Sequence, residues 1–322
     1  MYYPYLRGRQ NELLCIRELL EQDKLGNKIT PIIEPVRFNS TLFTTLEKFI
    51  ENDRDIIIIR NPNVGKFAKE LKDMKDSIEK EEDPKKKEKL QKTYESYSAI
   101  WKNPHVIKAY LVNRKIVDKV LNGEILADKN VMVNLEKGNY SYYENYNHEL
   151  KAIITLIPKD EDFKDEVLGD TVVIEDGYNK AARNVDYLHN PDEFFSRNHL
   201  VFSKRGYQGF SDYSIVGDEY EESGFAPLAI AIHIVYFGDK NELKVHHFVS
   251  DSNENISDPA RKFEEAMRKV VEWEKIDQVN KTVGLKKLIE YYSNGKFPGL
   301  GVIKKCSIMH HLEMMADFLG DD

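Results

Sequence analysis

The chain has 322 residues, 41% of them hydrophobic and 32% charged, with a net charge of −8 at pH 7. That composition is ordinary for a globular protein, and the acidic balance argues against a surface that coats duplex DNA by counterion release. Its two cysteines, Cys15 and Cys306, support neither a disulfide framework nor a cysteine zinc site; both sit among apolar residues at helical spacing, the pattern of buried thiols.

The opening MYYPYLRGRQ carries no apolar core of a signal peptide, and no uncharged run approaches the ~20 residues of a membrane span, so a cytoplasmic protein is expected. Short apolar runs then alternate with helix-patterned stretches. Strands are expected at 2–6, 29–36, 55–60, 105–113, 130–136, 152–158, 171–176 and 199–203. Several, such as DIIIIR, are nearly continuous in branched aliphatic residues, which suits strands buried on both faces of a parallel sheet. Helices are expected at 9–22, 42–52, 113–123 and 190–198, the last opened by Asn190 as a cap and Pro191 in the first turn. Eight strands with intervening helices is the count of a TIM-like (β/α) barrel; an open doubly wound sheet is the alternative.

Residues 66–102 break the alternation with dense charge of both signs. Pro84 divides them, so two exposed antiparallel helices are expected as an excursion from the barrel. Residues 206–224 read as a glycine-punctuated acidic loop. AIAIHIVYF (229–237) and LKVHHFVS (243–250) read as a β-hairpin about GDKNE. The organisation expected is a barrel-like α/β domain over 1–257, with the loop and hairpin at 206–250, and a helical tail over 258–322 packed on the barrel.

In a barrel the working residues lie at the C-terminal ends of strands. Glu34, Arg60 and Glu136 each follow directly on an apolar run, and with Glu175 they are the candidate catalytic groups. Arg9, Asn113, Arg205 and Asp212 are the candidate substrate-binding groups. Arginine forks suit phosphate or carboxylate, and the glutamates are hard oxygen ligands that admit a divalent metal, although no cofactor is required by the sequence. A charge-paired polar layer capping the barrel is the competing reading.

The histidines come partly in doublets, His246-His247 and His310-His311. Neighbours on a strand face opposite sides. If Phe237 lies opposite Glu242, His233 faces His246, and His247 joins Ile232, Ile234 and Tyr236 in the core. His233 and His246 would then begin a metal site that needs a third ligand, or form a hydrogen-bonded structural cluster, which is preferred. On the last helix His310 and His311 are ~100° apart, so at most one is expected to face inward. NPNVGK (61–66) lacks the leading glycine and the Ser/Thr of a phosphate-binding loop, and FSDYS is no nucleophile elbow.

YLRGRQNEL, with Gln10 and Glu12, followed by Pro31-Ile32-Ile33-Glu34, then SDYSIVGDEY, a long hairpin and a terminal HHL, resembles the Beta protein family of phages and bacteria. The family's Gly-Asp-Tyr-Gly element stands here as Ser211-Asp212-Tyr213-Ser214, and its Asn-His-His as Met309-His310-His311. The chain looks closer to a bacterial sub-branch that opens MYYPYLRG and is often encoded beside a small nuclease. The resemblance implies a component of an anti-phage defence or phage-conflict system that acts through a protein partner, with that nuclease the candidate. The alternative from the residues themselves is a hydrolase-like barrel enzyme acting on a phosphorylated or nucleotide substrate.

Overall fold

The structure, a computed structural model, describes residues 1–222 and 226–320. The chain divides into two compact units. One comprises Met1–Leu13, Thr30–Glu175 and Phe202–Ser211; the other comprises Leu14–Ile29, Asp176–Val201 and the chain from Asp212 on.

The first unit alternates strands and helices. Its elements are β1 (Tyr5–Leu6), the start of α1 (Gln10–Glu21), β2 (Ile32–Ile33), α2 (Ser40–Glu51), β3 (Ile56–Ile59), α3 (Phe67–Lys80), α4 (Pro84–Ile100), β4 (Val106–Leu111), α5 (Arg114–Leu121), β5 (Val131–Val133), α6 (Tyr140–Tyr146), β6 (Ile154–Pro158), α7 (Glu161–Glu166) and β7 (Thr171–Ile174). The chain then supplies β8 (Asp192–Ser196) and α8 (Asn198–Val201) to the second unit and returns with β9 (Gly209–Ser211). Strands β1 to β7 pair in order, and β7 pairs β9, all in parallel. A bridge between Tyr2 and Phe210 brings the last strand beside the chain's start, with Tyr3 N–H donating to Phe210 O at 2.9 Å and Phe210 N–H to Met1 O at 3.1 Å. The sheet is thus a nearly closed TIM-like barrel, and the runs at 29–36, 55–60, 106–113, 131–136, 152–157 and 171–175 supply consecutive parallel neighbours.

The eighth strand is not 199–203, which forms α8 and a 3-10 turn; it is β9. A Cβ on Gly209 would stand 2.7 Å from both Met1 O and the Tyr3 ring, so only glycine allows the approach that brings the sheet's ends together. The charged excursion is the expected helical pair. Asp83 caps α4, accepting from Lys85 N–H at 2.9 Å, and Pro84 takes the first helical position, where its missing donor costs nothing. Rings hold the base of the pair: Tyr97 stacks on Phe43 at 3.7 Å between centroids, and Trp101 meets Phe43 and Phe67 edge-on.

In the second unit β10 (Ala231–Phe237), β11 (Leu243–Val249) and β8 form an antiparallel sheet in the order β10-β11-β8. Residues 190–198 are therefore strand, not helix, over most of their length. The Asn-Pro start suits a helix, but β11 takes the segment's main-chain groups instead: His246 pairs with Asp192, and His247 N–H donates to Pro191 O at 2.8 Å. Ile232, Ile234, Tyr236 and Phe248 of the hairpin pack with side chains of the helices α9 (Pro259–Val271), α10 (Val283–Ser293) and α11 (Leu300–Leu319). The loop expected at 206–224 carries β9 and a 3-10 turn at Ser214–Val216; its last two residues lie outside the described residues. Among the described residues no helix is long and apolar enough to cross a membrane.

Candidate functional site

Glu34 ends β2 wholly buried and is saturated by donors: Tyr5 Oη at 2.8 Å, Asn63 N–H at 2.8 Å, and an ion pair with the buried Arg7. Ile33 pairs with Ile58, so Glu34 lies level with Ile59, and the Arg60 side chain leaves from the opposite face of the sheet. The two residues therefore do not meet. Glu136 stands exposed beyond β5, and Glu175 pairs with Lys159 at 3.0 Å. Arg9 opens α1 part-buried, and Arg205 is exposed, its carbonyl accepting from Lys164 Nζ. Asp212, in the second unit, is buried and accepts from Ser214 N–H at 2.8 Å. Among the described residues no group of three or more His, Cys, Asp or Glu is placed to hold a metal ion.

Arg60 and Asn113 do come together. Both line a cleft of about 510 Å3 at the C-terminal ends of β3 and β4, with Asn61, Asn63, Lys115 and Lys119. Local chemistry fixes its walls. Asn61 bonds Leu111 in both directions at 2.9 Å, which ties the loop after β3 to the end of β4. Asn113 caps α5, accepting from Ile116 N–H at 3.1 Å. Gly65, with φ 68°, tucks the loop against Val36, where a Cβ would stand 2.4 Å from the carbonyl oxygen. The glycine-lysine pair of NPNVGK thus serves a backbone approach.

Arg60 lies over the Trp101 ring, 4.2 Å from its centroid. Burial lowers its pKa from the ordinary value, opposed by Tyr110 and Tyr94. Its Nη1 is buried and has no hydrogen-bond partner. Against three cations the cleft's lining sets one carboxylate, Glu124, 3.7 Å from Lys119 Nζ. A guanidinium with an unused donor in a polar, cationic recess has the chemistry that an oxyanion requires.

The histidines resolve differently from the sequence reading. The hairpin pairs Phe237 with Leu243, so His233 faces His247, one residue from the expected register. Asn241, at φ 58°, lets the turn hold five residues between the paired ends, with Asn241 N–H donating to Gly238 O at 3.0 Å. A slip of one residue exchanges every face. His246 is therefore the residue beside Ile232, Ile234 and Tyr236; its ring lies 4.8 Å from Trp273 and 4.4 Å from Phe248. His233 and His246 cannot share a metal.

His247 is buried, as expected, and belongs to a chain of hydrogen bonds. Ala181 N–H donates to Tyr187 Oη at 3.1 Å, the Tyr187 and Tyr178 hydroxyls meet at 2.6 Å, Tyr178 Oη meets His233 Nε2 at 3.0 Å, and His233 Nδ1 meets His247 Nδ1 at 2.8 Å. His247 Nε2 faces Glu193 at 3.9 Å. A proton on that nitrogen suits the carboxylate. Every bond then runs one way, from Tyr187 through Tyr178 and His233 to His247. Burial drives His233 well below its ordinary pKa and His247 down to about 4, so both rings are neutral near pH 7.

His310 and His311 are both fully buried, contrary to the one-inward expectation, because α11 is enclosed over most of its girth. His310 Nε2–H donates to Val235 O at 2.8 Å, on the edge strand β10, so its Nδ1 accepts from Thr282 Oγ1 at 2.7 Å. His311 Nδ1 meets Ser214 Oγ at 2.9 Å, which joins the SDYS and HHL stretches. Burial holds His310 at about 4 and His311 at about 3. Sequence reasoning misses the tyrosine-histidine chain, because Tyr178 and Tyr187 come from a stretch without periodic pattern. Compared with protein-family models, with curated proteins and with solved structures, the chain matches none.

Proposed function

We propose that the chain binds the phosphoryl group of a small phosphorylated or nucleotide substrate in the cleft between β3 and β4, as a barrel enzyme of hydrolase type. The observation that carries this reading is the buried, unpartnered Nη1 of Arg60 in a recess with Asn113, Lys115 and Lys119. Its place at the strands' C-terminal ends is where barrels of this kind work. Glu124, within the same lining, is the carboxylate assigned to accept a proton from attacking water.

Calorimetric titration with inorganic pyrophosphate tests the recognition step. Arg60→Lys keeps the charge but loses the planar fork, and about tenfold weaker binding is expected. Lys115→Met with Lys119→Met should weaken it further and flatten its dependence on salt. Equal affinity in all three proteins would remove the cleft from consideration.

The family resemblance supports a second reading, a phage-conflict component acting through a protein partner such as a small nuclease encoded nearby. Helices α3 and α4 are exposed over most of their length, which makes them the surface for such a contact. Shortening the pair at Pro84 should abolish co-purification with the encoded neighbour and leave pyrophosphate binding intact; retained co-purification would refute this assignment.

A further inference from the structure

The second unit contains a cavity of about 230 Å3. One wall is the hydrogen-bonded set Tyr178, Tyr187 and His233, with the histidine ring edge-on to both tyrosines. Their protons are committed along their own chain of bonds, so this wall offers aromatic surface rather than donors. The opposite wall is one stripe of α11, Leu300, Ile303, Lys304 and Ser307, brought together by the spacing of three and four residues. Ile215 and Val216 add further apolar surface. Neither lysine of the lining is available to a guest: Lys180 lies 3.1 Å from Glu221, and Lys304 is engaged in an interaction of its own. Among the described residues no carboxylate side chain lines the cavity. Ser307 is 1% exposed, and its hydroxyl has no hydrogen-bond partner. A serine inside a helix ordinarily reaches solvent or bonds the carbonyl four residues back, here that of Ile303, and Ser307 does neither. A buried hydroxyl left unbonded costs free energy, and a guest that bonds it offsets that cost.

We infer that this cavity is a second ligand site, separate from the proposed phosphoryl cleft, and that it takes a small uncharged phenol. The phenol oxygen accepts from Ser307 Oγ–H, and the ring lies between the aromatic wall and the side chains of Ile215, Val216 and Ile303. An apolar cavity of ~150 Å3 holds a benzene ring, so this volume admits one ring with its hydroxyl and a short further substituent. No lysine contributes to this assignment, and nothing in it depends on the reading of the Arg60 cleft.

Phenol itself is the probe, titrated into the full chain by calorimetry, with the His233 ring proton followed by NMR. Saturable binding with a Kd on the order of 1 mM and a shifted His233 resonance are expected for a ligand of this size. Toluene has the same shape without the hydroxyl, so the ratio of phenol to toluene affinity isolates the bond to Ser307. That ratio should fall about tenfold in Ser307→Ala, the loss of one hydrogen bond, while toluene binds that variant at least as well. The variant removes an unbonded buried hydroxyl, so its melting temperature without ligand should equal or exceed that of the unsubstituted chain. Benzoate, the charged counterpart, should bind more weakly than phenol. The inference is overturned by absence of saturable phenol binding, by an unmoved His233 resonance, by the same phenol-to-toluene ratio in Ser307→Ala, or by benzoate binding as tightly as phenol.

Discussion

Glu34 shows how a residue marked by position can serve the fold. A carboxylate directly after an apolar strand was readable as a site residue, but its partners were not readable, because Arg7, Tyr5 and Asn63 come from three separate segments. Breaking a buried ion pair leaves an uncompensated charge, so Glu34→Gln should cost about 3–5 kcal/mol in urea denaturation, while replacing both partners with apolar residues should cost less. The histidines add a pH signature. His247, His310 and His311 have folded-state values near 4, 4 and 3, below the ordinary ~6.5 of an unfolded chain. Their contribution is fully present above ~6.5 and is lost as pH falls toward those values, because the unfolded chain takes up protons first. Asp176, raised to about 6 chiefly by burial, acts in the opposite sense and gains as pH falls through that value. Three sites outweigh one, so the unfolding midpoint should drop between pH 6.5 and 4.5. A Thr282→Val variant, which leaves His310 Nδ1 without its donor, should lose about 1–3 kcal/mol at pH 7; an unchanged midpoint would refute the assigned tautomer.

The elements that were legible are those whose signal is local. DIIIIR becomes β3 because a strand covered on both faces needs no polar alternation, and Asp83-Pro84 parts α3 from α4 because proline suits a first helical turn and no later one. The elements that were misread depend on partners far away in sequence. β8 carries a helix-like opening yet is claimed by β11, and β9 is three residues whose only cue is Gly209. The hairpin is legible from its two apolar runs, but its register turns on Asn241 accepting a left-handed conformation, and that residue decides which histidines meet. A hydrogen-exchange prediction follows for α3 and α4. Their buried residues are confined to Phe67, Ile78 and Ile100, so amides near Pro84 should exchange far faster than those of β3 and β4. Protection equal to that of the strands would mean that the helical pair is covered in solution.

Across the whole molecule, the barrel was readable in outline because its strands follow one another in order, while the second unit gathers pieces from three stretches of chain. The candidate site follows the same rule. Arg60 and Asn113 each stand at the end of their own strand, and they share a cleft because β3 and β4 are adjacent in the sheet. Glu136 and Glu175 end strands further round, each in its own surroundings, which spacing along the chain could not reveal. A net charge of −8 makes the positive lining of that cleft a local feature, so the anion recognition proposed there must rest on short-range donors. The most direct test is a crystal of the chain soaked in tungstate, a heavy phosphate analogue, with the metal located by anomalous scattering. The account predicts a tungstate within hydrogen-bonding reach of Arg60 Nη1, and its loss in Arg60→Lys. A peak elsewhere that persists in the variant, with the cleft empty, would contradict it.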